Sequence, residues 1–212
     1  MKKVIKTKRL ILSPLEQEDS PSFIKIAQNM RQKKTENRDY FLYSRFDDDA
    51  VKNEEDLIEA VDKLLQSAND IKPEETVLRL KIALKKNDVI GYVGYLYTPE
   101  NDPPSDFGIF LDPHHEHKGY AFEAEKALLA HFFTNCDNKI YLTIHPENIS
   151  SLHLNQKCGA VKTGYEKESK YGSERDVFVI TREAFIKTVW NKEFSSDKEE
   201  EKFLIEYLNQ HD

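Results

Sequence analysis

Residues 105–133 read SDFGIFLDPHHEHKGYAFEAEKALLAHFF, and this stretch decides the fold. Ser105 to Leu111 is a short apolar run that stops at Asp112-Pro113, the pattern of a buried strand with a turn behind it. After a brief polar turn, Lys118-Gly119-Tyr120-Ala121 opens a helix that runs through Phe133. A strand that feeds a helix through so short a turn points several unpaired backbone N–H groups at one spot, which makes an anion site. Gly119 lets a ligand approach the backbone closely, Ala121 keeps the first helical turn thin, and Lys118 adds a point charge. Every helix has an N-terminus, so the turn alone leaves a purely structural role open.

Outward from this unit the period of the apolar residues predicts one α/β body. Upstream, residues 8–13 read as a strand, and Ser20-Pro21 reads as a helix start before Phe23, Ile26, Ala27 and Met30. Residues 31–50 form a polar stretch dotted with aromatic residues. Asn53 then caps a helix whose stripe is Leu57, Ile58, Val61, Leu64, Leu65 and Ala68. Alternation from Leu78 to Leu84, a Lys-Lys-Asn-Asp turn and the run Val89 to Tyr97 predict an antiparallel hairpin, with residues 98–104 as a loop. Downstream follow a strand at 140–144, a helix at 149–157 and strands near 161–169 and 176–181. Phe203, Leu204, Tyr207 and Leu208 share one face of a last helix, and Trp190 reads as a core anchor before it.

Composition narrows the function. The 212 residues carry a net charge of -7, and no basic stripe offsets it, so nucleic acid and anionic membranes are not expected partners. The longest apolar run near the start, Leu10 to Leu12, is too short for a signal or membrane segment. Cys136 and Cys158 fit neither a metal pattern nor a disulfide framework, so a cytoplasmic protein with reduced thiols is expected. Much of the acidity is local. Residues 47–62 hold eight acids against Lys52, a pattern that fits either a solvated helix face or a surface for a cationic ligand. All seven glycines lie between residues 91 and 172, where backbone freedom is therefore concentrated. None of them forms a P-loop or G-x-G-x-x-G motif, which removes those nucleotide readings. His114, His115 and His117 lack an H-E-x-x-H spacing, and no metal is expected there.

Two blocks carry a family likeness. Glu116-His117-Lys118-Gly119-Tyr120-Ala121 is similar to the acetyl-CoA motif Q/R-x-x-G-x-G/A. Asn148, Ser151, Leu154, Lys157, Gly159 and Ala160 are similar to the signature N-x-x-S-x-x-L-x-x-K-x-G-F. With the opening TKRLILSPLEQED, the chain resembles the GCN5-related N-acetyltransferases (GNAT) over residues 5–185, and within them the ribosomal-protein N-acetyltransferase (RimJ/RimL-like) branch. The resemblance implies an α/β (α+β) GNAT fold, with a mixed, mostly antiparallel sheet of about seven strands and helices on both faces, plus a C-terminal amphipathic helix. It divides the chain into an acetyltransferase domain over 1–190, with a helical acceptor-side insertion at 31–75, and an acidic helical appendix over 191–212.

The same resemblance implies site residues. Acetyl-CoA would lie where the sheet splays, its pantetheine along Ile109, Phe110 and Leu111 and its pyrophosphate on the amides of His117, Lys118, Gly119, Tyr120, Ala121 and Phe122, with Asn148 and Ser151 at the thiol end. For the base, Asp106 and Glu168 are rivals. The tyrosine that protonates the thiolate in many relatives is Asn155 here, so the acid role passes to Ser151, with helix capping as its alternative. Glu116 stands where the motif has Gln or Arg, and there it would repel phosphate. The implied activity is acetyl-CoA-dependent N-acetylation of a primary amine. The acidic run 47–62 favours a cationic acceptor: a polyamine, an aminoglycoside-like amine or a protein N-terminus. A homodimer is left open, as is a non-catalytic acyl-CoA-binding or protein-interaction module on the same fold.

Overall fold

Alternating apolar and polar residues from Thr76 to Leu84 and the apolar run Val89–Tyr97 build the two longest strands, β3 and β4. The computed structural model describes residues 3–37, 40, 46, 51–68, 75–85, 88–101, 105–167 and 174–210. Among them β3 and β4 pair antiparallel along nearly their whole length. Before them come β1 (Ile5–Lys6), β2 (Leu10–Pro14), α1 (Ser20–Glu36) and α2 (Glu54–Gln66). After them come β5 (Ser105–Leu111), α3 (Tyr120–Asn135), β6 (Lys139–Ile144), α4 (Ile149–Gln156), β7 (Val161–Glu166), β8 (Arg175–Thr181), α5 (Arg182–Trp190) and α6 (Asp197–Asn209). The strands form two sheets, β1-β2-β3-β4-β5 and β6-β8-β7, and each pairing within a sheet is antiparallel. Among the described residues there are eight strands, the two-residue edge β1 included.

Helices cover both faces, each over its own apolar cluster. Leu10, Leu12, Leu80, Ile82 and Val93 of the first sheet join Ile140, Leu142 and Ile180 of the second beneath α3, α5 and α6. On the opposite face Phe23, Ile26 and Met30 of α1 and Leu57, Val61 and Leu64 of α2 close over Tyr92 and Phe110. Phe110 stacks on Tyr92 at 5.4 Å between ring centres and meets the edges of Phe23 and Phe46 at 6.2 and 5.6 Å. Burying one such side chain contributes roughly 1.5–3 kcal/mol, which fixes the face that β5 turns toward α1 and α2.

Several local expectations change. Ser20 is the first residue of α1 rather than its cap. The preceding 3₁₀ turn, Gln17–Asp19, is closed by Glu16 and Asp19, with the Glu16 N–H donating to Asp19 Oδ2 at 2.8 Å. α1 then continues past Met30 to Glu36, because Arg31, Gln32, Lys33 and Lys34 are good helix formers and no breaker intervenes. Asn53 caps α2 as expected, accepting the Asp56 N–H at 3.0 Å, but Ile58 is 39 % exposed and leaves the stripe. α5 was not anticipated. Its start is capped by Thr181, which accepts the Ala184 N–H at 3.1 Å, and its end is the left-handed Asn191.

The terminal helix is docked on the body. Trp190 meets Phe185, Phe203 and Tyr207 at 5.2, 5.3 and 4.9 Å, and buried Arg182 bonds Glu200 at 3.1 Å, tying α5 to α6. Among the described residues no helix is long and apolar enough to cross a membrane.

Candidate active site

The two sheets meet at β5 and β6 without a ladder between them. A side chain makes the join: Ser105 Oγ accepts the Tyr141 N–H at 2.6 Å and donates to the Tyr141 carbonyl at 3.2 Å. Ser105 is the first residue of β5, and the rest of that strand, through Ile109, Phe110 and Leu111, has β4 as its ladder partner on one edge and none on the other. Among the described residues that edge carries no ladder, the arrangement along which an extended ligand can pair with a strand.

β5 delivers the chain to the anion turn. Asp112 is buried and accepts from the His114 backbone N–H and its Nδ1, both at 2.9 Å, and from Asn29 Nδ2 of α1 at 2.9 Å. Burial pushes its carboxyl up, but these bonds outweigh burial and hold it below the usual carboxylate range. The turn then places two residues in the left-handed region, His117 at φ 57° and Gly119 at φ 78°, on either side of Lys118. Alternation of this kind curls successive N–H groups into a concave nest. The first backbone bond of α3 runs from the Glu123 N–H to the Gly119 carbonyl at 3.1 Å, so the amides of Tyr120, Ala121 and Phe122 have no acceptor within the helix. These three belong to the run His117 to Phe122 that the resemblance implies. Lys118 does not point its charge outward from the turn, since its Nζ donates back to the His114 carbonyl at 2.6 Å.

Glu116 is turned away from this nest. Its carboxylate pairs with Lys33 of α1 and accepts from the Tyr40 hydroxyl at 3.0 Å. Burial, followed by the charge of Glu116, raises the Tyr40 phenol, which stays protonated and donates. The expected repulsion of phosphate is thus met by a cation fixed on the carboxylate.

Asp106, Gly108 and Phe110 share one face of β5 by the two-residue period, and Phe110 identifies that face as the one beneath α1 and α2. At Gly108 an added Cβ would meet no atom of the described residues within 4 Å. Glu168 lies outside the described residues. Of the acidic run, Asp47, Asp48 and Asp49 lie outside them too. Glu54, Glu55 and Glu59 are exposed on α2, while Asp56 accepts the Lys52 N–H and Asp62 pairs with Gln17.

At α4, Asn148 is the cap: its Oδ1 accepts the Ser151 N–H at 3.1 Å. Ser151 is therefore not the capping side chain. Its Oγ lies 3.3 Å from Nδ2 of Asn155, which also donates to the Ser151 carbonyl at 2.9 Å. Asn155 is 2 % exposed, and its Oδ1 has no partner among the described residues.

Two residues that the sequence did not single out join the site. Arg9, in the turn between β1 and β2, bonds Glu123 of the first turn of α3 and the Lys118 carbonyl. The signal was present in the opening TKRL, but nothing local says that residue 9 meets residue 123.

Residues 9–161 match a family model described as an acetyltransferase (GNAT) domain. The chain belongs to the GNAT acetyltransferase family. It is an N-acetyltransferase, and acetyl-CoA is the cosubstrate of its family. Identity is 29 % over 122 residues with the uncharacterized N-acetyltransferase p20 of Bacillus licheniformis, covering 56 % of this chain and 68 % of that one. It is 28 % over 126 residues with spermidine N(1)-acetyltransferase of Vibrio cholerae, covering 58 % and 73 %. In fold the GNAT chain is similar to Mycobacterium smegmatis RimJ in complex with CoA-disulfide, with a TM-score of 0.64 at 17 % identity over 84 % of this chain and 86 % of that one.

Proposed function

We propose that this GNAT enzyme acetylates a primary amine of a cationic acceptor by direct attack of the amine on the thioester. The observation that carries the reading is the turn from β5 into α3, where left-handed His117 and Gly119 curl a row of amides into an anion nest at the end of an unladdered strand. Those amides, from His117 to Phe122, bind the diphosphate, and the backbone of Ile109, Phe110 and Leu111 orients the pantetheine arm along the open edge. Acetyl-CoA supplies the activated acyl group and a thiol leaving group.

The chain's own residues move the protons. An Asp106 carboxylate oxygen takes one from the acceptor ammonium, on the face of β5 that Asp106 shares with Gly108. Ser151 Oγ gives its proton to the departing sulfur and takes in its place the second proton released by the attacking nitrogen, its own N–H held by Asn148 and its oxygen by Asn155. Exposed Glu54 and Glu55 and the net charge of -7 support a cationic acceptor, as does the likeness to a spermidine acetyltransferase.

Release of CoA thiol from acetyl-CoA, followed over spermidine, an aminoglycoside and a peptide N-terminus, tests the reading. Turnover with at least one cationic amine is expected. Binding of acetyl-CoA with no thiol release over the panel would instead favour a non-catalytic acyl-CoA-binding module. Comparison of Asp106→Asn with Glu168→Gln decides the base: the pH–rate profile is expected to move only for the former.

A further inference from the structure

Arg9 lies outside the β5–α3 unit and touches the anion nest at several points. Its Nη1 donates to the Lys118 carbonyl at 2.8 Å, and its Nε donates to Glu123 Oε2 at 2.6 Å. Its backbone N–H donates to Glu123 Oε1 at 2.7 Å, where Thr7 Oγ1 donates as well at 2.5 Å. The guanidinium lies 4.5 Å from the centre of the Tyr120 ring. Lys118, Gly119, Tyr120 and Glu123 are thus all within reach of one planar group.

Two features separate this arrangement from a simple surface ion pair. Nη1 holds the carbonyl of the residue between the two left-handed positions, which fixes the peptide plane whose N–H belongs to Gly119. Nη2 lies 3.3 Å from the point where a Gly119 Cβ would stand, and no bond to it is made among the described residues. The side chain is 42 % exposed, and Nη2 stands beside Gly119. A guanidinium has five donors in a rigid fork, so it can hold a carbonyl and a carboxylate while leaving donors for an anion.

We propose that Arg9 is a positioning residue for the diphosphate turn and that its Nη2 supplies a cationic donor to the bound diphosphate. This rests on the acetyl-CoA reading above. Glu123 takes part as the fixed counter-anchor. Burial pushes its carboxyl up, but the bonds from Thr7 and Arg9 outweigh burial and keep it ionised.

The test measures CoA binding by calorimetry and initial rates with two acyl donors, acetyl-CoA and S-acetylpantetheine, the second lacking the diphosphate. For Arg9→Leu, KM for acetyl-CoA is expected to rise roughly ten- to hundredfold, the worth of one or two charge-assisted hydrogen bonds. Its kcat stays within about threefold and kcat/KM for S-acetylpantetheine within about twofold, as for loss of a ground-state contact. Arg9→Lys keeps the charge but cannot bond Glu123 and the Lys118 carbonyl together, and is expected to fall between the two. Glu123→Gln discriminates most sharply. A carboxylate that merely repelled phosphate would lower KM when neutralised, whereas an anchor for Arg9 raises it. The proposal is overturned by an equal loss with both donors, by a Glu123→Gln variant that binds tighter, or by Arg9→Leu binding CoA as wild type does. Wild type that binds no CoA overturns the acetyl-CoA reading and this proposal together.

Discussion

Lys33 of α1 pairs with Glu116, three residues ahead of the glycine that opens the anion nest. Both side chains are about a quarter exposed, so the pair is only partly screened by solvent. The carboxylate that replaces the Gln or Arg of the family motif is in this way neutralised and turned toward α1.

Removing the cation should therefore expose the cost of Glu116. Lys33→Ala is expected to raise KM for acetyl-CoA by about three- to tenfold at low salt, the effect of a pair worth ~1 kcal/mol. Glu116→Gln should leave KM near wild type, and adding it to Lys33→Ala should recover most of the loss. A purely additive double-mutant cycle would show that the two charges are not coupled.

Asn155 holds Ser151 through Oγ and the carbonyl, so its removal should affect the proton donor and not the binding of acetyl-CoA. Asn155→Leu is expected to lower kcat by roughly tenfold, less than the ~10²-fold or more expected for Ser151→Ala as loss of a general acid. KM for acetyl-CoA stays within about threefold. Steady-state kinetics of both variants and the double mutant check this. If Asn155→Leu lowers kcat equally in the Ser151→Ala background, Asn155 does not act through Ser151.

Glu125 is fully buried in α3, where the Cys158 thiol is its neighbour and no charged group pairs with it among the described residues. Burial raises its pKa from the usual 4.5 to about 8. The unfolded chain loses this proton near pH 4.5 while the folded chain keeps it to about pH 8, so stability falls as pH rises through that window and levels off above it. Glu125→Leu removes the slope. Its advantage over wild type in free energy of unfolding, followed by denaturant titration, should grow from pH 5 to pH 8, reaching on the order of 4 kcal/mol. A difference in unfolding free energy that does not change with pH would contradict this.

Gly159 links α4 to β7 at φ 88°, and an added Cβ would stand 2.8 Å from the Ala184 carbonyl of α5. Gly159→Ala is expected to cost about 2 kcal/mol from left-handed backbone and the close contact together. For a chain of this length that lowers Tm by roughly 4–8 °C, measurable by calorimetry. An unchanged Tm would mean that α5 gives way at Ala184.

Local chemistry made much of this molecule legible. The run from Ser105 to Phe133 contains its own strand, stop, turn glycine and helix, because periodicity, proline and glycine act within a few residues. The cap at Asn53, the β3–β4 hairpin and the amides after His117 follow in the same way. α5 escaped because its start lies directly against β8, with a single threonine between strand and helix periods. The acidic run over 47–62 was legible as charge, but charge along a sequence does not say what faces it.

The sequence by itself determined the order of the elements, the family and the place of the anion turn, all properties of short segments and their spacing. Tertiary structure alone decided which side chains serve that turn. Arg9 reaches Glu123, Lys33 reaches Glu116 and Ser105 bridges to Tyr141 because sheets and helices bring together residues 114, 83 and 36 positions apart. Such pairings are set by the packing of two apolar clusters on either face of the sheet, and that packing depends on the whole chain at once.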